Sequence, residues 1–218
     1  MQTDTIQGLH VLKGDETLKR ALKKEQKTNV FDYQKEHLDT ALSFCSNFRN
    51  ALDVGANYGI MSYHMSKRFA KVYAFEIQPA VCECLALNVN AFNLDNVEIH
   101  RYGLGETDSS VNLNFVENKT FSTHVDMSQE GNIPVKALDN LNLHDIDFIK
   151  IDAEGFEPFI IKGGINLIKK YKPVILYERK GHEARYGFDK NIVLEILKEY
   201  GYKELVRINN KNALIGVR

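Results

Sequence analysis

Residues 51–59 read Ala51-Leu52-Asp53-Val54-Gly55-Ala56-Asn57-Tyr58-Gly59, and a helical pattern through Met61, Met65 and Phe69 follows at once. A short apolar run that stops at a glycine suits a buried strand. The unit then repeats. Val72-Tyr73-Ala74-Phe75 ends at Glu76, Pro79 stands where a helix would begin, and Val81, Leu85 and Val89 supply that helix's apolar face. Val97-Glu98-Ile99-His100 is the next strand. Strand, helix, strand, helix, strand in this rhythm marks a parallel sheet with crossover helices.

Downstream the rhythm breaks and resumes. Over 111–138, Val111, Leu113 and Phe115 alternate with polar residues, a polar loop holding His124 and Asp126 follows, and 133–138 reads as another strand. A loop of roughly a dozen residues inside a compact domain is usually functional or disordered, and this segment is expected to be a β insertion near the substrate site. Asn118-Lys119-Thr120 matches a glycosylation acceptor, which is incidental in a cytoplasmic chain. Phe148-Ile149-Lys150-Ile151 is a strand, 156–171 a helical stretch broken at Gly163-Gly164, and 173–177 a further strand. A helix through Ile192 and Leu197 precedes two strands, 203–208 and 213–217, joined by a tight turn at 209–212 and therefore antiparallel. The expected fold class is α/β: a mostly parallel sheet with a C-terminal antiparallel hairpin and helices on both faces.

Upstream, 1–50 reads as a helical segment. Thr17 is placed to cap a short helix carrying Lys19, Arg20, Lys23 and Lys24 around Leu18 and Leu22, and Leu38, Ala41, Leu42 and Cys45 share one face of a second helix. With 218 residues and no linker or repeat, one domain over 1–218 is expected. The 28 basic and 29 acidic side chains nearly cancel, so no global field draws the chain to nucleic acid or to anionic lipid. No long apolar run suggests a membrane span, and residues 1–5 lack the basic-then-apolar layout of an export signal, so a cytoplasmic location is expected. The three cysteines form neither a disulfide nor a zinc framework.

In an open parallel sheet, ligands bind beyond the carboxyl ends of the strands. Those ends carry Asp53, Glu76, Asp152, Glu154 and Glu178. Gly55 and Gly59 are read as removing side chains where backbone approaches a ligand, and a helix begins directly after them. Their spacing is Gly-x-x-x-Gly, which differs from the Gly-x-Gly-x-x-Gly that cradles a pyrophosphate. Asp53 would repel phosphate and suits an amino group, while Glu76 is placed to accept both hydroxyls of a ribose. Ribose plus cation without phosphate describes S-adenosylmethionine.

Three stretches carry a resemblance. Asp53-Val54-Gly55-Ala56-Asn57-Tyr58-Gly59, Phe75-Glu76 and Ile151-Asp152-Ala153-Glu154-Gly155-Phe156-Glu157 resemble the FkbM family of S-adenosylmethionine-dependent methyltransferases. Tyr33-Gln34, Gly103-Leu104-Gly105, Leu138-Asp139 and Leu176-Tyr177-Glu178 extend the likeness over about residues 31–180. It implies a class I methyltransferase (Rossmann-like) fold. Gln34, Ala56, Asn57, Ile77, Gly103, Leu104 and Asp152 then join Asp53, Gly55, Gly59 and Glu76 as expected cofactor contacts. Ile77 stands where the family commonly has proline, and Pro79 is kept. The implied activity is methyl transfer to an oxygen, often a hydroxyl of a sugar or a small natural product, so the expected partner is a small-molecule or glycan acceptor.

Losing the acceptor's proton calls for a base. Asp152 is the first candidate, Glu154 the second, and His124 and His182 follow. Asp152, Glu154 and Glu178 are also a candidate ligand set for a divalent cation that would acidify the hydroxyl, and the residues leave base and metal both open. Glu157 is read as orienting its neighbours. The rival readings are a nucleic-acid or protein methyltransferase, a nicotinamide-dependent oxidoreductase and a non-catalytic S-adenosylmethionine binder. Base methylation typically uses an Asn/Asp-Pro-Pro-aromatic stretch where this chain has Asp152-Ala153-Glu154-Gly155.

Overall fold

The computed structural model describes residues 2–116, 120–128, 131–208 and 212–217. The chain opens with a hairpin, β1 (Thr3–Ile6) and β2 (Leu9–Leu12), before α1 (Thr17–Glu25) and α2 (Lys35–Leu42). This corrects the expectation of a wholly helical segment over 1–50. The turn is Gln7-Gly8, both at positive φ (+53° and +86°), the geometry that lets two residues reverse a strand. Nor does Thr17 cap α1. The helix begins at Thr17, whose N–H bonds at 2.9 Å to the Asp15 carboxylate.

The central sheet follows the expected rhythm. In chain order come β3 (Asn50–Val54), α3 (Ile60–Ser66), β4 (Lys71–Phe75), α4 (Pro79–Ala91) and β5 (Val97–His100). A separate unit then holds β6 (Gly103–Gly105), β7 (Ser109–Asn114), β8 (His124–Asp126) and β9 (Ile133–Ala137). Next are β10 (Ile146–Ile151), α5 (Glu157–Gly163), α6 (Ile165–Tyr171), β11 (Val174–Glu178), α7 (Ile192–Lys198), β12 (Tyr202–Arg207) and β13 (Asn212–Val217).

Seven strands pair in the order β12-β13-β11-β10-β3-β4-β5. The five from β11 to β5 run parallel, and β13 pairs antiparallel with both β11 and β12. The antiparallel hairpin is thus present, with its last strand inserted against β11; the expected tight turn lies largely outside the described residues. Alternate residues sort to opposite faces, as strand geometry requires. Leu52, Tyr73 and Ile149 pack with Ile160, Ile161, Ile168 and Leu197 on one side, and Ala51, Val72 and Phe148 with Leu38, Met61 and Met65 on the other. Helices therefore cover both faces, and each fully buried Leu or Ile contributes about 1.5–3 kcal/mol.

The inserted unit is a four-stranded sheet, β6-β9-β7-β8. It begins at Gly103, earlier than expected, and the expected polar loop contains a helical turn, Thr120–Ser122, and β8, which pairs with β7. Residues 118–119 of the glycosylation match lie outside the described residues. Among the described residues no helix is long and apolar enough to cross a membrane. The sheet grows outward from β3 to β5 on one side and from β10 to β11 on the other. Connections therefore diverge between β3 and β10, and a crevice opens at the carboxyl ends of those two strands.

Candidate active site

A cavity occupies that crevice. Its floor is the turn after β3, where the N–H groups of Gly55 and Ala56 both bond to the Phe75 carbonyl, at 3.0 and 2.9 Å. Gly55 has φ +74°, and a Cβ there would lie 2.0 Å from the Asp152 carbonyl oxygen. The missing side chain thus admits the neighbouring strand's backbone, where the sequence suggested a ligand. Gly59, at φ +87°, makes room for Leu85 of α4 and does not line the cavity.

Glu76 is held from below. Its two carboxylate oxygens accept the N–H groups of Asn57 and Gln78, each at 2.8 Å. Burial pushes its pKa up, against the pull of those two backbone donors. Two fixed contacts leave lone pairs for hydroxyls in the cavity. Ala56, Asn57 and Ile77 line the same end, and so do Gly103 and Leu104 from β6. A Cβ on Gly103 would meet Ile77 Cδ1 at 2.5 Å, so the isoleucine that departs from the family pattern packs on the glycine.

Asp53 is elsewhere. It is fully buried and absent from the cavity wall; Ser62 Oγ donates to it at 2.6 Å and Lys150 Nζ lies 3.3 Å away. The expected contact with a ligand's amino group is therefore replaced by an internal ion pair. Lys150 also donates to the Gly55 carbonyl at 2.9 Å, propping the turn, and it lines the cavity. Burial alone would lower the Lys150 pKa, and the charges of Asp53 and Asp152 more than reverse that. Sequence reasoning missed this residue; a lysine inside the buried run Phe148–Ile151 was the available signal.

Asp152 and Glu154 line the opposite end, beyond β10. Glu154 sits at φ +53°, in the left-handed region that favours glycine. Burial, reinforced by the Asp152 charge, pushes its pKa up to about 7. Glu157 receives the Ala153 N–H at 2.8 Å and so ties the Asp152-Ala153-Glu154 turn to α5. Glu178, at the end of β11, is buried behind the cavity and forms an ion pair with Lys180, which does line it. Burial and the Asp152 charge raise the Glu178 pKa. His182 stands 2.8 Å from Glu154, and burial, together with Arg185 and Lys180, lowers its pKa.

The roof comes from two remote segments. Gln34 and Tyr33 descend from before α2, while Phe121, Thr123 and His124 come from the inserted unit. Tyr33 and Phe121 meet with ring centroids 6.0 Å apart. Asp15 locks these parts together: its carboxylate accepts the Tyr58 hydroxyl and, at 2.6 Å, the Thr120 hydroxyl. No motif pointed to Asp15, because its partners lie 43 and 105 residues away.

The family described as the methyltransferase FkbM domain matches residues 53–204. Methyltransferase 1 of Beauveria bassiana is 26% identical over 51% of this chain and 57% of its own length. Hexuronic acid methyltransferase AglP of Haloferax volcanii is 26% identical over 76% of this chain and 69% of its own. The crystal structure of methyltransferase FkbM from Methylobacillus flagellatus superposes with a TM-score of 0.54 at 17% identity, covering 78% of this chain and 43% of that one. At that identity the likeness is one of fold, the class I methyltransferase sheet. The chain spans little more than half the length of the Beauveria relative.

Proposed function

The chain belongs to the FkbM methyltransferase domain family, and on that premise we propose that it transfers a methyl group from S-adenosylmethionine to a hydroxyl oxygen of a sugar or another small hydroxylated acceptor. The observation that carries this reading is the composition of one cavity. A ribose-reading carboxylate, Glu76, lines one end, and two carboxylates at the strand end, Asp152 and Glu154, line the other. The donor set fits S-adenosylmethionine: Glu76 keeps lone pairs for ribose hydroxyls, Ile77, Gly103 and Leu104 offer an apolar slot for a base, and no backbone pyrophosphate cradle is present in the Gly55–Gly59 turn.

The sulfonium supplies a methyl group already activated for displacement. Alignment, water exclusion and removal of the acceptor's proton remain for the protein. Gln34 and Tyr33 on one side and Phe121 on the other wall the cavity and narrow the access of water to it. Asp152, at the end of β10, accepts the hydroxyl proton as the acceptor oxygen takes the methyl group. A positioned base contributes about 10²–10⁴-fold. The Haloferax relative bears the name of a hexuronic acid methyltransferase, which supports a sugar acceptor.

The test is transfer of isotopically labelled methyl to a panel of hexuronic acid glycans, neutral glycans and small hydroxylated compounds. Label on an acceptor oxygen, lost in Asp152→Asn with S-adenosylhomocysteine affinity kept, supports the reading. Label on a nucleobase or protein nitrogen would contradict it.

A further inference from the structure

Beside the acceptor end, the loops after β10 and β11 bring three potential metal ligands together. Glu154, Glu178 and His182 each offer one atom, and these atoms lie within 4.8 Å of one another. His182 Nδ1 stands 2.8 Å from Glu154 Oε2 and 3.7 Å from Glu178 Oε2. The approach is built into the backbone: a Cβ on Gly155 would lie 2.6 Å from the His182 carbonyl, so only glycine lets the two loops meet.

A second observation marks the cluster as unfinished. The Glu178 side chain is 3% exposed, and its Oε2 has no hydrogen-bond partner among the described residues, while Lys180 engages the other oxygen. A buried carboxylate oxygen with no donor keeps its desolvation penalty uncompensated unless a positive group completes it. That orphaned oxygen is the one facing His182.

We propose that Glu154, Glu178 and His182 bind one divalent first-row cation, of which Mn²⁺ is the representative probe. Two carboxylate oxygens and an imidazole nitrogen suit Mn²⁺ and its neighbours better than Mg²⁺, which prefers an oxygen-only shell. Neighbouring ligands of a six-coordinate ion at about 2.1 Å sit roughly 3 Å apart and opposite ones roughly 4.2 Å apart, so the observed separations need only small side-chain adjustments. Three ligands leave positions open, and Glu154 lines the cavity, so the open side faces the acceptor. The site takes His182 in place of the Asp152 that the sequence suggested. Asp152 stays outside the cluster and keeps its role as base. The ion's part in chemistry rests on the proposed methyl transfer to a hydroxyl: bound to that oxygen, it would lower the pKa of the proton that Asp152 receives. Lys180 competes for Glu178, and its ammonium opposes a second cation beside it.

The experiment titrates MnCl₂ into chelator-stripped protein, read by calorimetry and electron paramagnetic resonance, with circular dichroism to verify folding. One Mn²⁺ per chain is expected, weakened at least about tenfold by Glu154→Gln and by His182→Ala and tightened by Lys180→Met. If Glu154→Gln fails to fold, His182→Ala decides, since His182 is partly exposed. No saturable binding, or equal affinity in the folded variants, overturns the proposal and leaves an ion-free His182–Glu154 pair. S-adenosylhomocysteine titrated in chelator separates the two readings: its binding without Mn²⁺ binding removes the ion alone, and its failure removes the methyltransferase reading.

Discussion

Glu76 and Asp53 are acids near the ends of adjacent strands, yet the fold uses them differently. Glu76 is fixed by two backbone N–H groups and still lines the cavity. Glu76→Ala is therefore expected to weaken S-adenosylhomocysteine binding by about 1.5–3 kcal/mol, the worth of hydrogen bonds to a charged group, measured by calorimetry. Asp53 faces Lys150 because the two are register partners across β3 and β10. The sequence shows both residues but not that register, which joins strands some hundred positions apart, so a structural ion pair looked like a ligand contact. Lys150→Met should cost about 3–5 kcal/mol in denaturant unfolding by stranding a buried carboxylate, with the loss falling on stability first. A loss under 1 kcal/mol would contradict the assignment. Asp152→Asn should act the other way, removing turnover while leaving stability and cofactor affinity close to the parent's.

The parallel elements were legible because each is a short apolar run closed by glycine or an acid, and that local signal survives packing. The hairpin β1–β2 was not, since a Gln-Gly turn gives a weaker cue than Asn-Gly and the lysines of α1 dominated the reading. The inserted unit was seen as β, but its attachment was invisible because it depends on tertiary contacts. Thr120 bonds to Asp15, Gln78 Nε2 donates to the Thr120 carbonyl at 3.1 Å, and the Tyr186 hydroxyl donates to the Val125 carbonyl at 2.8 Å. Residues 120–126 are thus tied to three parts of the chain around the cavity. Asp15→Asn should speed amide exchange across 120–126 and weaken cofactor binding, with exchange in β10 unchanged; equal protection of 120–126 in both proteins would make the contact ornamental. Gly55→Ala tests the close approach of β3 and β10. The positive φ alone costs about 1–2 kcal/mol, and the 2.0 Å clash with Asp152 should raise the loss in unfolding experiments above that.

Across the whole molecule, buried acids set the response to pH. Burial pushes the Glu157 pKa up to about 8 from 4.5, so the folded state prefers its protonated form. That contribution is fully present below about 4.5 and is lost as pH rises toward 8. Glu154, raised to about 7, acts in the same direction. Glu157→Gln stays neutral and can still accept the Ala153 N–H, so its melting temperature should gain on the parent's between pH 5 and pH 8.5, by about 2–4 °C per kcal/mol. A parallel decline of the two proteins would show that Glu157 does not titrate in this way. Cofactor binding in the crevice between β3 and β10 is what these residues serve together. Calorimetric titration with S-adenosylhomocysteine, repeated with NAD, tests that most directly. One S-adenosylhomocysteine per chain is expected, bound more tightly than NAD and roughly ten- to a hundredfold more weakly after Glu76→Ala. Tighter binding of NAD, or affinity for S-adenosylhomocysteine untouched by Glu76→Ala, would contradict it.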